Sequence, residues 1–206
     1  MNKGRRRVFK ISVIASIVLA VGALASWTVE RELVGRGAQE PMRNYGVVWE
    51  NKLTRSGLPS SESGWQWLRS RGTNSIITFR PENDVDYEKF GFERVFRIPL
   101  KGTQIPTDEQ VDKFLAFIQD PSNWPVHMHC SAGKDRTGMM AALARYAIDG
   151  WPLDKALAEA KQYRGGQDLA EKRVAWLESW AAKHKPGSYR SNSWSAPAST
   201  RPGGGK

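Results

Sequence analysis

The sequence predicts an α/β domain with a mostly parallel central sheet and helices on both faces, preceded by one N-terminal apolar helix. Three observations carry this reading. Across residues 45–185, short apolar or alternating runs take turns with amphipathic segments of helical spacing, the pattern of strands joined by crossover helices. Residues 124–128 are a compact apolar run that leads through a short glycine-bearing loop into a helical pattern from Thr137. The run Ile11–Trp27 carries no charge and follows a strongly basic start.

That start holds Lys3, Arg5, Arg6, Arg7 and Lys10 within residues 1–10. The uncharged helix behind it, residues 11–27, would span about 25 Å, at the short end for a bilayer. A basic start predicts a cytoplasmic N-terminus and an extracytoplasmic (periplasmic) remainder. Ala23-Leu24-Ala25 also fits a signal-peptide cleavage site, so a transmembrane anchor and a signal cleaved near Ala25 both stay open. Trp27, at the end of the run, favours the anchor. Residues 28–44, charged and carrying Gly35 and Gly37, read as a tether.

Within 45–185, Tyr45–Leu53 predicts a first strand or hairpin and Arg55-Ser56-Gly57-Leu58-Pro59 a turn. Glu62–Arg71 predicts a short helix with Trp65 and Leu68 inward. Asn74–Phe79 is an apolar strand stopped by Arg80-Pro81, and Arg94–Leu100 is a strand by its alternation of Val95, Phe96, Ile98 and Leu100. Thr107-Asp108-Glu109-Gln110 has the logic of a capping box and opens a helix with Val111, Phe114, Leu115 and Ile118 on one face. Residues 124–128 form a short buried strand, and Thr137–Asp149 a helix carrying Met139, Met140, Leu143, Ala144, Ala147 and Ile148. Leu153–Tyr163 and Leu169–Lys183 are two more helices, parted by Gly165-Gly166. Residues 186–206, rich in Ser, Pro and Gly, are expected to be a disordered tail.

The net charge of +10 in 206 residues says little about partners. Residues 1–44 hold eight basic and three acidic groups, and residues 186–206 three basic and none acidic. The middle holds twenty against eighteen, which leaves +2 and no basic stripe for nucleic acid. The single cysteine excludes a disulfide oxidoreductase. His127, His129 and His184 are too few and badly spaced for a zinc site, and no cofactor is implied. A nucleotide-binding loop would need glycine at 128 and Ser or Thr at 135, where this chain has Met128 and Asp135.

The chemistry is concentrated in His129-Cys130-Ser131-Ala132-Gly133-Lys134-Asp135-Arg136-Thr137-Gly138. A loop of this composition can aim several backbone N–H groups at one point, beside a helix N-terminus and a guanidinium fork. It makes an anion site shaped for phosphate with a thiol at its floor. The same field favours thiolate, which lowers a cysteine pKa from about 8.5 to roughly 3.5–7.5.

The loop resembles the signature of the cysteine-dependent protein tyrosine and dual-specificity phosphatase superfamily, Cys-x5-Arg followed by Ser or Thr. The match is carried by His129, Cys130, Gly133, Arg136, Thr137 and Gly138. Arg55-Ser56-Gly57-Leu58-Pro59, Ile98-Pro99-Leu100 and Gly150-Trp151 are similar to segments of bacterial members. The resemblance implies the compact dual-specificity phosphatase fold over 45–183 and hydrolysis of phosphomonoesters through a phosphocysteine at Cys130. Arg136 would clamp two phosphate oxygens. Ser131, Ala132, Gly133, Lys134, Thr137 and Gly138 would line the substrate site, with the Thr137 hydroxyl aiding departure of the sulfur. His129, across the strand from the substrate, is expected to orient the loop rather than carry protons.

The leaving oxygen needs a proton, and relatives take it from an aspartate in the loop after the preceding strand. Here that loop, Lys101-Gly102-Thr103-Gln104-Ile105-Pro106, has no acid. Asp135 is favoured by likeness to phosphatases with Ala-Gly-Lys-Asp-Arg in the loop, and Asp108 is the alternative. The expected substrate is a phosphotyrosine or dual-specificity protein substrate. Lys134 and a membrane tether support the alternative of an inositol phosphate, phosphoinositide or phospholipid headgroup. A phosphate-binding module without turnover is the rival from another class. The enzyme is expected to be a monomer.

Overall fold

The computed structural model describes residues 42–92, 94–192 and 194, all within the unit Pro41–Lys206. The segment 11–27, read as anchor or signal, lies outside the described residues, as do the basic start and most of the tether. Among the described residues no helix is long and apolar enough to cross a membrane.

Five strands form one sheet in the order β1-β2-β5-β3-β4. They are β1 (Gly46–Trp49), β2 (Leu53–Gly57), β3 (Ser75–Thr78), β4 (Arg94–Arg97) and β5 (Val126–Cys130). β1 and β2 are an antiparallel hairpin, turned at Asn51, whose left-handed φ of 58° an asparagine tolerates. Every other pairing is parallel. β5 therefore lies at the centre, with Gly57 of β2 opposite Cys130 and Thr78 of β3 opposite His129. Ligands of such sheets bind where the strands end, and all four residues are at that end.

The helices are α1 (Glu62–Ser70), α2 (Asp108–Gln119), α3 (Asp135–Ala144), α4 (Leu153–Gln162) and α5 (Glu171–Ala181). α1 covers one face of the sheet, where Trp65 and Leu68 pack with Met42, Ile76, Tyr87 and Phe92. The other face carries the larger core, built with Phe114, Leu115 and Ile118 of α2, Met139 and Leu143 of α3, Ala160 of α4 and Leu177 of α5. The strand period of two divides β5 accordingly: Val126, Met128 and Cys130 join the larger core, while the His129 ring meets Trp65 and Tyr87 on the α1 side. α2 begins with the expected capping box, Gln110 N to Thr107 Oγ1 at 3.3 Å and Thr107 N to Gln110 Oε1 at 2.9 Å.

Four expectations need correction. Arg55, Ser56 and Gly57 belong to β2 rather than to a turn, because the fold supplies buried partners for two polar side chains that a strand pattern excludes. β4 stops at Arg97, although Ile98 and Leu100 stay fully buried beyond it. The tether's last residues are part of the domain, since Met42 is buried and the Arg43 carbonyl accepts from Gly57 N at 2.8 Å. The tail begins later than residue 186: Gly187 N and Tyr189 N donate to Tyr146 O and Ala147 O, and Trp194 is buried against Trp49 and Trp124.

Candidate active site

β5 delivers Cys130 to the sheet's carboxyl end, and α3 starts only five residues later. Closing so short a connection forces Gly133 into the left-handed region at φ 71°. The loop also lies hard against β2: a Cβ on Gly133 would stand 2.3 Å from Gly57 N. One on Gly57 would stand 3.0 Å from the Ala132 carbonyl carbon. The two glycines exist as a contact, with no room for a side chain on either.

Three successive loop carbonyls are tied to the outside. Ser131 O accepts from Leu58 N (3.2 Å), Ala132 O from Asn44 Nδ2 (2.8 Å) and Gly133 O from Arg55 Nη2 (2.6 Å). In a trans peptide the C=O and the following N–H point to opposite sides. Each tie therefore turns the next amide inward, and Gly133 N–H does reach Cys130 Sγ at 3.2 Å. The loop is a cup of donors held open by its own fold, before any anion arrives.

Arg136 completes the cup. Its Nη1 donates to Phe79 O and Leu100 O, each at 3.2 Å, and Nη2 to Ser131 Oγ at 3.0 Å. The two carbonyls lie just beyond the ends of β3 and β4, so the chain leaving the sheet aims the guanidinium. Nε–H and the second Nη2–H take no partner among the described residues, and they form the side-on fork that a phosphate accepts. Burial pushes the Cys130 thiol up, but the Thr137 hydroxyl and N–H, the Arg136 charge and Gly133 N–H outweigh it, and the net pKa lies below that of an ordinary thiol. The fully buried Thr137 Oγ1 has no nitrogen or oxygen partner, which leaves it for the sulfur.

His129 points away from the cup, as expected, and its Nε2 meets the Tyr87 hydroxyl at 3.0 Å. Burial first, then the charges of Arg80, Arg97 and Arg136, lower its pKa to about 3 against a raising hydrogen bond at Cys130. With so low a pKa its imidazole is neutral around pH 7 and offers no imidazolium as a proton donor. His127, also fully buried, sits between Thr54 Oγ1 (2.9 Å) and Ser56 Oγ (2.8 Å).

Lys134 is exposed at the rim and has no ion pair among the described residues. Gly138 departs from its expected place in the substrate site: its N–H is spent on Lys134 O at 3.0 Å, and its bare Cα lets Leu169 approach. Asp135 turns to Arg164, with which it forms a close ion pair, and to Arg173 Nη1 at 3.9 Å. Arg173 Nη2 donates in turn to Gly102 O at 2.7 Å, joining α3, α5 and the loop after β4. Asp108 lies exposed in the first turn of α2, where its charge acts on Tyr189.

Asn44, Arg55, Arg164 and Arg173 were not legible as site residues. Each sits 29 or more positions from the loop atom or carboxylate that it holds. Arg55 was read as part of a turn, and nothing in that segment marked it as a partner of the loop. Among the described residues no group of His, Cys, Asp and Glu could hold a metal ion.

Comparison with known proteins bears on this arrangement. The model of the family described as DSP-PTPase phosphatase fused to NAD+ kinase matches residues 34–174. The chain is 32% identical over 149 residues to inositol diphosphatase DSP4 of Arabidopsis thaliana, covering 65% of this chain and 72% of that one. It is 29% identical over 114 residues to the dual specificity protein phosphatase TpbA of Pseudomonas aeruginosa (strain UCBPP-PA14), covering 55% of this chain and only 51% of that protein. The core catalytic domain of the PP-IP phosphatase SIW14 from S. cerevisiae shares the fold, with a TM-score of 0.57 at 22% identity over 69% of this chain and 93% of that one. The chain belongs to this DSP-PTPase family of the cysteine-dependent dual-specificity superfamily, and it is a phosphoric monoester hydrolase.

Proposed function

We propose that this phosphatase acts on a substrate bearing several phosphates close together, as on an inositol ring, and that it includes diphosphate groups among its targets. One observation carries the reading: among the described residues, neither the signature loop nor the loop after β4 offers an unengaged acid to the leaving group. The loop after β4, residues 101–106, contains no carboxylate, and the one acid of the signature loop is engaged by Arg164 and Arg173. An alkoxide or phenoxide leaves poorly without a proton, whereas a phosphate, with a second pKa of about 6, leaves as an anion. Exposed Lys134 supplies a cation for a neighbouring phosphate, and the DSP4 relative is named an inositol diphosphatase.

In this mechanism the Cys130 thiolate attacks phosphorus in line as Arg136 and the loop amides take the equatorial oxygens. The S–P bond forms, the bond to the leaving oxygen breaks, and the departing group keeps the electron pair. Water then attacks the phosphocysteine: an O–P bond forms and the S–P bond breaks with its electron pair on sulfur. The Thr137 hydroxyl donates a hydrogen bond to that thiolate, and the water's proton departs with the inorganic phosphate. Asp135 braces the loop in this reading. The second reading, a phosphotyrosine or dual-specificity enzyme, is favoured by the likeness to TpbA and gives Asp135 the proton. There its carboxyl would have to release Arg164 and turn to the aryl oxygen.

The two readings part in a panel of a diphosphoinositol phosphate, an inositol monophosphate, phosphoinositide vesicles and a phosphotyrosine peptide. We expect the highest kcat/KM on the diphosphate. Lys134→Ala should cost about 10–100-fold there, as for a charged hydrogen bond, and little on the peptide. Asp135→Asn should spare the diphosphate relative to the peptide. Preference for the peptide, with Asp135→Asn lowering its turnover about 10²–10⁴-fold, would establish the second reading. The vesicle arm separates a lipid headgroup from a soluble ring.

A further inference from the structure

Arg55 is a buried charge that the fold does not explain by itself. It lies in β2 opposite Met128 of β5, and only 1% of it is exposed. Its Nη2 meets Gly133 O at 2.6 Å and its guanidinium stacks on the Tyr163 ring at 3.9 Å. Nε and Nη1 have no hydrogen-bond partner. Burying an uncompensated guanidinium is costly, and an apolar side chain of that length would normally be the more stable occupant.

Nor is a counter-ion devoted to it. Glu159 of α4 is near enough to act on it, but that carboxylate is held bidentately by Arg145, Nε to Oε2 at 2.9 Å and Nη2 to Oε1 at 2.7 Å. Arg145 itself opposes the Arg55 charge. The remaining groups acting on it are the Tyr163 phenol and the Cys130 sulfur. Cys130 is in turn faced by Thr137, Arg136 and Gly133 N–H from the loop and α3, and by Arg173 from α5, while neighbouring His129 is neutral.

We propose that Arg55 is a positioning residue of the phosphate loop: it braces the Gly133 carbonyl from behind so that the Lys134 amide faces the anion, and it sets a buried positive charge toward the Cys130 sulfur. The brace follows from peptide geometry, since a carbonyl fixed on Arg55 turns the next N–H the other way. The charge follows from burial, because a cation in a low-dielectric site acts more strongly on an anion formed beside it than one in water does. When Cys130 ionises, Arg55 gains the partner that the resting fold withholds. The fold carries the cost of the buried cation, and the thiolate and the bound phosphate recover it.

The inference rests on the cysteine-phosphatase reading of the loop but not on the substrate class. The test uses the full chain with Arg55→Met, which keeps length without charge or donor, and Arg55→Lys, which keeps charge without the fork. Iodoacetamide alkylation of Cys130 against pH reads the thiolate, and vanadate competition reads the cup. Arg55→Met should move the alkylation midpoint up by about one pH unit and weaken vanadate about tenfold or more. Arg55→Lys should largely restore the midpoint while vanadate stays weakened. A merely structural arginine would reduce the folded fraction and leave both quantities unchanged for the molecules that fold, and that result overturns the proposal. If Arg55→Met does not fold, Arg55→Lys with wild-type vanadate affinity overturns the brace. If the wild type hydrolyses no phosphomonoester, the functional reading fails separately, because both readouts remain measurable without turnover.

Discussion

Gly133→Ala puts the construction of the loop to its hardest test. The new Cβ would stand 2.3 Å from Gly57 N and 2.5 Å from the Ser56 carbonyl carbon. Both atoms belong to β2, which is locked between β1 and β5, so the loop is what moves. Restoring ordinary contact at 3.4 Å requires a shift of about 1 Å. The left-handed φ of 71° adds about 1–2 kcal/mol for a residue with a Cβ, and overpacking about 1–3 kcal/mol. A total of about 2–5 kcal/mol should lower Tm by about 4–20 °C, at about 2–4 °C per kcal/mol for a chain of this size. The same shift opens the 3.2 Å contact from Gly133 N to Cys130 Sγ and displaces the carbonyl from Arg55. A misplacement of about 1 Å costs about 10²-fold in turnover. Scanning fluorimetry gives the first number, and kcat on an aryl phosphate, measured well below the variant's Tm, gives the second. A Tm within about 2 °C of wild type together with kcat within about threefold would refute the tight contact and the preformed cup.

Two further outcomes follow from the core. His129, with a pKa lowered to about 3 by burial, titrates near 6.5 when the chain unfolds, and buried His127 is lowered in the same direction. Below pH 6.5 the unfolded chain binds protons that the folded one refuses, so stability is complete above 6.5 and drains as pH falls toward 3. His129 alone contributes about 1.4 kcal/mol per pH unit in that window, and urea midpoints between pH 7.5 and 4.5 should show a slope that His129→Gln reduces; an unchanged slope would exclude His129 as its source. Trp194→Ala should cost about 3 kcal/mol, since the ring packs on Trp49 (4.4 Å between centroids) and shares Lys52 with Trp124. Those contacts lie at the opposite end of β2 and β5 from Cys130, so kcat should hold while Tm falls, and an unchanged Tm would mean that the tail does not dock.

Much of this molecule was legible residue by residue. Hydrophobic spacing marked α1 and α2 with their inward Trp65, Leu68, Phe114 and Ile118, and the Thr107–Gln110 box is a local device that needs no tertiary partner. The loop was legible because its chemistry is contiguous: thiol, glycine, arginine and threonine must be neighbours in the chain to surround one anion. Asp135 was legible only as a residue type near the site. Its partners, Arg164 and Arg173, lie far along the chain, so the groups that its carboxyl faces could be read only in three dimensions.

The sequence by itself determined the alternation of strands and helices, the loop that gathers Cys130, Gly133, Arg136 and Thr137, and the side of the strand that His129 occupies. Only the tertiary structure decided that Arg55 belongs to a strand, that Met42, Arg43 and Asn44 belong to the domain rather than to a tether, and that Arg136 hangs from Phe79 O and Leu100 O. The physical reason is range. Periodicity, caps and glycine turns are properties of adjacent residues, and the chain carries them whatever else it does. The brace of the loop joins residues 78 and 88 positions apart, and it exists only because parallel pairing sets β2 beside β5 in a register that places Gly57 against Cys130.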